Sequence, residues 1–317
     1  MSCENSGNQT TTQFGTDTVS DDYGRTVVVP NHPQRVVSTS PALTEILFAL
    51  GAEKLLVGRT DFCTYPAEAA NIPSIGGISD LNVERILLLE PDLVISGSMV
   101  SKKITDQLDA MGIPIVCIIE KPKFEALYDN ITAIGKLVDK KHEADSLNAL
   151  LHNRVSQLNT EHLTQNTKSC YYVVGFGAGG NFTAGGNTFI NDIIRMAGGR
   201  NIAENVTGWS YSQEALVTED PDYIIVRRED SAVFCNMMPY NRLSAVRKGH
   251  VIGIESGIMD LQVPRNIDAI VYLQKRMNNQ ETVMEQSSQG VNIRMIIVIA
   301  EFVIIIGLFI FILRKKG

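Results

Sequence analysis

The sequence predicts an α/β protein of two similar lobes, joined by one long α-helix and followed by a C-terminal transmembrane helix. Three observations predict this fold class. Short β-branched runs alternate with helical patterns from residue 24 to residue 277, as is typical of α/β units with mainly parallel sheets. One order of motifs occurs twice along that stretch, and a strongly apolar run lies close to the C-terminus.

The N-terminal lobe (23–123) and the C-terminal lobe (164–277) each contain several short strand patterns. The predicted strands are, in chain order, RTVVV, RVVSTS, LLVG, DLVISG, PIVCII, YYVVGF, YIIVRR and HVIGI. Between them lie the helical patterns PALTEILFALG, NVERILLLE, NTFINDIIRMAGG, SQEALVTED and NIDAIVYLQKRM.

The two lobes repeat one another in sequence. Glu84 lies seven residues before a Pro-Asp pair that leads into a strand, and Glu214 does the same 130 residues later. A second pair of segments, which begin at Thr44 and Asn191, ends on glycine in both copies with an offset of 147. These repeats predict two lobes of similar build.

The segment 124–163 between the lobes contains no Gly/Pro linker. Its apolar residues recur at helical spacing over nearly 30 residues, from Ile131 and Ile134 to Val155 and Leu158. We therefore expect one long helix to join the lobes. Such a link limits hinge closure, because a hinge needs loop residues that can change φ and ψ.

Residues 1–22 are polar and of low complexity, so we expect a disordered tail there. They lack the charged and apolar regions of a signal peptide. A lone cysteine at the start of such a tail resembles the beginning of a mature bacterial lipoprotein, which makes Cys3 a lipidation candidate. An ordinary free cysteine is the alternative.

Residues 293–317 predict a membrane anchor, and the polar residues 278–292 predict the linker that leads to it. The run 295–313 has 19 residues, of which 15 are Ile, Leu, Val or Phe. As a helix it would span about 28 Å, close to a ~30 Å hydrocarbon core, and its apolar residues outweigh the single charge of Glu301. The basic residues 314–316 then place the C-terminus in the cytoplasm and the rest of the chain outside. A buried core helix is the alternative for this run, and a tolerated charge is the alternative to a functional Glu301.

Composition narrows the possible partners. The 317 residues carry 28 Lys and Arg against 35 Asp and Glu, and this net charge of −7 argues against a nucleic-acid partner, which would need a basic patch. The five cysteines show no C-x-x-C spacing, so no metal site and no redox motif are expected. No cofactor is expected either.

The run Gly175–Gly180 fits the pattern G-x-G-x-x-G after a strand, but no helical pattern begins on these glycines. A dinucleotide site needs a helix N-terminus at that point, so we favour a loop that lines a cleft, with Phe176 and Phe182 as apolar contacts. The sequence also lacks the G-x-S-x-G, H-E-x-x-H and P-loop motifs. The chain is therefore predicted not to be an enzyme, and a nucleotide-using enzyme is the third-ranked alternative.

Glu84 and Glu214 each fall in the first turn of a short predicted helix, where the helix dipole favours a carboxylate. Capping would explain either residue alone. Their equivalent placement puts one exposed anion on each lobe, which suits docking onto arginines of a two-fold symmetric partner.

The motifs R-V-V-S-x-S-P-x-x-T-E, L-G-A, Y-P-A-E and E-R-I-x-x-L-x-P-D-L-V-I occur in this order. The chain thereby resembles the class III, helical-backbone solute-binding proteins of ABC importers over about residues 22–277. The resemblance implies two lobes joined by a helix, with the ligand between them and with cobalamin, a ferric siderophore or haem as the ligand class. It also implies that Glu84 and Glu214 dock onto the permease.

The resemblance further implies a set of ligand contacts, in which aromatic faces suit a flat, mostly apolar macrocycle or a catecholate. The expected contacts are Phe62, Tyr65, Phe176, Phe182, Trp209, Met259, Asp260 and Arg265. Plain surface charge is the alternative for Asp260 and Arg265. Gly77 stands where several haem-binding members have a ligating tyrosine, so haem is a less favoured ligand. The cobalamin binder's first-lobe tryptophan also has no counterpart there.

These inferences give one leading hypothesis and one alternative. The leading hypothesis is a membrane-tethered, extracytoplasmic binding protein that hands a ferric siderophore or a corrinoid to an ABC permease dimer with its ATPase subunits. The alternative is a membrane-anchored surface sensor or ligand-binding module of the same fold that is not coupled to transport. A permanent membrane helix would suit that alternative, because a mobile donor does not need one.

Overall fold

A computed structural model of the chain describes residues 15–158 and 167–278. The described part begins with an antiparallel hairpin of β1 (Thr16–Ser20) and β2 (Thr26–Pro30), in which Thr18 pairs with Val28. The prediction of a disordered tail over 1–22 is therefore wrong for its last residues. The β-branched residues of TDTVS pair with the valine run of β2, which a reading of polarity alone missed.

Four parallel strands build the sheet of the N-terminal lobe. They are β3 (Val36–Ser38), β4 (Leu56–Arg59), β5 (Leu93–Ser96) and β6 (Ile115–Cys117), in the spatial order β4-β3-β5-β6. The strands β3 and β5 are buried throughout, which explains why their sequences are unbroken apolar runs that end in small residues. The predicted parallel pairing is confirmed in this lobe.

Three helices flank this sheet, namely α1 (Pro41–Ala49), α2 (Val83–Leu88) and α3 (Lys102–Ala110). The first begins at a proline, whose fixed φ suits a first helical turn, and is followed by Gly51 with a φ of 66°. The helix α3 was not predicted, because its few buried residues, such as Ile104 and Leu108, stand among charged ones.

The prediction of one long helix over 124–163 is wrong. The chain forms two helices, α4 (Ala126–Leu137) and α5 (Lys141–Ser156), separated by a short turn. Asp139 in that turn has a φ of 54°, in the left-handed region that ends a helical path and that aspartate tolerates better than most residues. Both helices keep the same apolar period, so the spacing alone did not reveal the break.

The two helices pack against each other as an antiparallel hairpin. Near the start of α4, Tyr128 O accepts a hydrogen bond of 3.1 Å from Asn148 Nδ2 of α5. Near the end of α4, Gly135 faces Ala144 so closely that a Cβ atom on the glycine would lie 2.5 Å from the alanine Cβ. Glycine is therefore required at this point of closest approach.

The sheet of the C-terminal lobe is also parallel. Its strands are β7 (Lys168–Tyr172), β8 (Gly199–Asn201), β9 (Tyr223–Arg227) and β10 (Val251–Ile254), in the spatial order β10-β9-β7-β8. The helices of this lobe are α6 (Phe189–Met196), α7 (Gln213–Glu219), α8 (Arg228–Asn236), α9 (Ser244–Arg247) and α10 (Asn266–Met277). The helix α7 precedes β9 as α2 precedes β5, which confirms the predicted repeat of the two lobes.

One hydrophobic core runs through both lobes and the hairpin. It includes Leu47 of α1, Leu127 and Ile131 of α4, Ile190 of α6 and Ile270 of α10. A second cluster belongs to the C-terminal lobe and a third to the N-terminal lobe. The hairpin and the two lobes therefore form one packed body.

Several predicted features lie outside the described residues. These are Cys3, the anchor 293–317 and the linker 278–292 beyond its first residue. Across 15–158 and 167–278, every helix is too short or too polar to cross a bilayer.

Candidate ligand-binding site

The loop that follows β4 forms the candidate wall in the N-terminal lobe. Cys63 is buried beneath this loop, where its Sγ accepts a hydrogen bond of 3.1 Å from Thr44 Oγ1. Asp61 N donates to Gly76 O at 2.9 Å, which ties the loop to the next segment of the lobe. Phe62 stands between these two anchors and is 59% exposed. The anchored loop thus presents an aromatic ring at the carboxyl end of the parallel strands, where α/β proteins bind ligands.

Arg265 connects the two lobes beside this loop. It precedes α10 in the C-terminal lobe, and its Nε donates to both carboxylate oxygens of Glu45 in α1 at 2.9 Å. Its guanidinium lies 4.0 Å from the centre of the Tyr65 ring, and Nη1 donates to Glu255 at 3.3 Å. These contacts hold the start of α10 against α1 and against the loop that carries Tyr65.

Glu45 contacts the predicted site residue Arg265, but the sequence did not mark Glu45 itself as a site residue. Burial raises the pKa of its carboxyl group to about 7, although Arg265 acts in the opposite direction. Burial and the Glu45 carboxylate also raise the pKa of Tyr65. The signal in the sequence was a lone carboxylate within the apolar helix PALTEILFA, because a charge buried in such a helix needs a partner.

Two short extended segments form the candidate wall in the C-terminal lobe. Phe182 pairs with Gly175 through backbone hydrogen bonds just beyond β7. Thr183 N donates to Trp209 O at 2.7 Å, which holds the second segment beside the first. Phe182 is 38% exposed and Trp209 is 47% exposed. This lobe therefore also presents aromatic rings beyond the carboxyl end of a central strand.

The glycine-rich loop belongs to this wall and does not open a helix. Gly180 N donates to Gly177 O at 3.1 Å, so the loop closes on itself as a turn. The next helix, α6, begins only at Phe189. The prediction that no helix starts on these glycines is confirmed. The loop therefore does not provide the helix N-terminus that a pyrophosphate would need.

Three of the predicted contacts already have partners inside the C-terminal lobe. Phe176 is partly buried and meets Phe234 edge-on, with ring centroids 5.2 Å apart. Met259 is 0% exposed within the main core, so its predicted ligand contact is not supported by this placement. Asp260 accepts a hydrogen bond from the hydroxyl of Tyr172, whose pKa is raised well above its usual value by burial.

Glu84 and Glu214 occupy equivalent positions in the two lobes. Each is exposed, and each is the second residue of its helix, α2 or α7. Both helices are capped by a side chain, since Asn82 accepts from the third following backbone N–H at 2.9 Å and Ser212 does so at 3.0 Å. A dedicated cap therefore already satisfies each helix start, which leaves the two carboxylates free for another role.

The described chain has the build of a two-lobed solute-binding protein. Each lobe places exposed aromatic rings at the carboxyl end of its parallel strands, and Arg265 joins the lobes at that edge. Within the described ranges, no group of three or more His, Cys, Asp or Glu side chains is arranged to hold a metal ion.

A model of the periplasmic binding protein family matches residues 36–257. The chain belongs to this family, as its motifs indicated. The family consists of solute-binding proteins without enzymatic activity, which confirms the prediction that the chain is not an enzyme.

Curated relatives are similar over most of the chain. The uncharacterised ABC transporter substrate-binding lipoprotein YvrC of Bacillus subtilis is 25% identical over 260 residues, which cover 80% of this chain and 82% of the relative. A cobalamin-binding protein of Halobacterium salinarum is 27% identical over 266 residues, which cover 80% of this chain and 72% of the relative.

Solved structures share the two-lobed fold. A periplasmic haem-binding protein from Pseudomonas aeruginosa superposes with a TM-score of 0.72 at 25% identity, over 80% of this chain and 95% of that one. The periplasmic vitamin B12-binding protein BtuF of Vibrio cholerae gives a TM-score of 0.67 at 21% identity, over 79% of this chain and 99% of that one.

Proposed function

We propose that the protein is an extracytoplasmic substrate-binding protein that delivers a metal chelate, either a corrinoid or a ferric siderophore, to an ABC importer. The observation that carries this proposal is the set of exposed rings at the carboxyl ends of the two sheets, formed by Phe62, Phe182 and Trp209. Large aromatic faces bind a broad, mostly apolar ligand well, and ring stacking adds to the area that is buried.

Two observations bear on the choice among chelates. Gly77 lies against the carboxylate of Asp80, so a larger side chain at this position would have to displace that carboxylate. Position 77 thus offers no tyrosine as a ligand for haem iron and has no room for one without a shift of Asp80. The relative named as a cobalamin-binding protein supports a corrinoid.

Transport requires a partner, and the proposal assigns Glu84 and Glu214 to docking on a permease dimer with ATPase subunits. Their exposure and equivalent placement support this role, because two carboxylates on a pseudo-symmetric body match paired arginines on a symmetric partner. The predicted anchor 293–317 and a lipidated Cys3 would both keep the binding body at the outer side of the membrane.

The alternative of a surface sensor that is not coupled to transport is not favoured. The relative YvrC carries the name of an ABC transporter substrate-binding lipoprotein, and the family match spans both lobes.

The single tryptophan of the chain provides a direct test of ligand binding. Corrinoids and ferric siderophores absorb light and quench a nearby indole, so a ligand seated on Trp209 would quench the fluorescence of the whole protein. We expect saturable quenching by cyanocobalamin or by a member of a ferric siderophore panel. Thermal stabilisation by the same compound would confirm binding to the folded state. Absence of both effects for the whole panel would contradict the proposal.

A further inference from the structure

In each lobe, the segment that carries the exposed ring adjoins the start of the helix that carries the exposed glutamate. In the N-terminal lobe, Phe62 follows Asp61, whose N–H is bonded to Gly76 O. The residue before that glycine, Ile75, accepts a hydrogen bond of 2.8 Å from the N–H of Asn82, the cap of α2. Two backbone hydrogen bonds therefore connect the segment that carries Phe62 to the start of α2.

The C-terminal lobe repeats this connection by a different route. Asn181, next to Phe182, accepts a backbone hydrogen bond of 3.1 Å from Tyr211 N. The following residue, Ser212, caps α7, and Glu214 stands two residues further on. The Phe182 segment is thus hydrogen-bonded to the stretch of backbone that runs from Trp209 to Glu214.

A buried hydroxyl group links the same parts a second time. The hydroxyl of Tyr240 donates to Asn181 Oδ1 and accepts from Gly177 N at 3.0 Å and from Gln213 Nε2 at 3.2 Å. These three partners lie in the Phe182 segment, in the glycine-rich loop and at the first position of α7. Tyr240 itself is fully buried.

The ring of Tyr240 is fixed independently of its hydroxyl. It stacks on Phe234 with centroids 4.6 Å apart and meets Phe176 edge-on at 5.8 Å. Phe176 is the residue before Gly177, so ring packing and hydrogen bonding hold the same loop. Rigid packing of this kind places the hydroxyl in one position, where it can serve three partners at once.

We propose that Tyr240 is a positioning residue that couples the ligand wall of the C-terminal lobe to α7 and thereby to Glu214. A ligand that orders the Phe182 segment and the glycine-rich loop would then order the start of α7 through the shared hydroxyl group. The local link needs only the contacts above, whereas its role in transport rests on the proposed function.

Hydrogen–deuterium exchange of the full-length chain in detergent tests the link without a ligand. The variant Tyr240→Phe keeps the stacked ring and removes the hydroxyl, so we expect about three- to tenfold faster amide exchange in both 175–182 and 212–219. The variant Gln213→Ala cuts the bond on the α7 side only, and we expect it to speed exchange in 175–182 as well. A merely local role of Gln213 would leave that loop unchanged, and this result would overturn the proposal.

The variant Tyr223→Phe is the matched control. In the wild type, the hydroxyl of Tyr223 donates to Met277 O at 3.2 Å, in the same lobe but away from the aromatic wall. Removing it should therefore leave amide exchange in both segments at the wild-type rate. Equal effects of this control and of Tyr240→Phe would overturn the proposal, because they would show general loosening of the lobe. If Tyr240→Phe fails to fold, the loop response to Gln213→Ala decides alone.

Cyanocobalamin is the probe that tests whether a bound ligand acts on α7 through Tyr240. In the wild type we expect it to slow exchange in 212–219, and in Tyr240→Phe we expect that protection to be lost while quenching of Trp209 persists. Protection that survives in the variant would overturn the coupling. Absence of cyanocobalamin binding to the wild type would count against a corrinoid ligand and would leave the ligand-free exchange result to decide the link.

Discussion

Arg265 Nε lies 2.9 Å from both carboxylate oxygens of Glu45, and the two residues belong to different lobes. Their side chains are only 10% and 6% exposed, so the ion pair is shielded from water. A buried pair adds little net stability compared with apolar residues, but a lone buried charge is strongly destabilising. The pair therefore defines how the lobes meet more than it stabilises either one.

Replacing Arg265 by Met is expected to lower the free energy of unfolding by about 3 to 5 kcal/mol at pH 8, because the Glu45 carboxylate then stays buried without its cation. Adding Glu45→Gln to the same chain should recover most of this loss, since a neutral amide does not need that partner. Urea unfolding of the wild type, both single variants and the double variant measures the effect. Losses that simply add in the double variant would contradict the prediction.

The stability of the wild type relative to Glu45→Gln is expected to depend on pH. Burial, with the charges of Glu255 and Asp268, raises the pKa of Glu45 from 4.5 to about 7 in the folded protein, while Arg265 lowers it. The folded state therefore holds a proton that the unfolded state releases, so the contribution is fully present below about pH 4.5 and is lost as the pH rises through 7. Between pH 5 and pH 8 we expect the wild type to lose about 1 to 3 kcal/mol relative to the variant, as measured by urea unfolding. A difference that stays constant over this range would contradict the shift.

Gly135→Ala is expected to destabilise the protein by about 1 to 3 kcal/mol, because the new Cβ would lie 2.5 Å from the Cβ of Ala144 in the facing helix. Gly179→Ala is the control, since a Cβ there meets no heavy atom within 4 Å. We expect the control to be neutral or slightly stabilising. Thermal unfolding compares the two variants, and an equal response would show that the hairpin does not need the close approach.

Trp209→Ala is expected to weaken ligand binding by about 10- to 100-fold, as loss of a central aromatic contact does in other interfaces. Trp209→Phe should retain most of the affinity, because a ring remains for stacking. Isothermal titration with the compound that quenches the wild type measures both variants. Met111→Ala is the control, because it removes an exposed apolar side chain at the far end of α3. An unchanged affinity in Trp209→Ala would place the ligand elsewhere.

Glu84→Ala combined with Glu214→Ala is expected to abolish ligand uptake and to leave ligand affinity unchanged. Both residues are exposed, and other side chains cap their helices, so the substitutions should not disturb the fold. Each single variant should reduce uptake partly. Uptake by cells that produce the permease and its ATPase subunits measures the effect. Glu219→Ala, at the other end of α7, should transport normally. A loss of affinity in the double variant would instead place the carboxylates in the ligand site.

Much of the fold follows from local patterns in the sequence. The β-branched runs of β3, β5 and β9 identify three of the central strands, because parallel strands buried on both faces read as largely apolar runs. The repeat of Glu84 and Glu214 identifies the equivalent lobes, and both residues do lie at equivalent helix positions.

The parts that sequence reasoning missed depend on contacts between distant segments. The turn at Asp139 divides the predicted long helix, but both halves face the core with one apolar period, which a single helix would also show. Tyr240 bonds to residues 27 and 63 positions away, so no local pattern marks its hydroxyl. The partner of Glu45 likewise lies 220 residues along the chain.

The apolar core that passes from α1 through α4 to α10 has a consequence for the proposed release of ligand. Separating even 200 Å² of such a core from its neighbours would require about 5 kcal/mol, so thermal motion opens the body only rarely. The two lobes are therefore expected to keep one arrangement while ligand reaches the exposed rings. In the proposed transport function, any separation of the lobes would then need energy supplied by the permease.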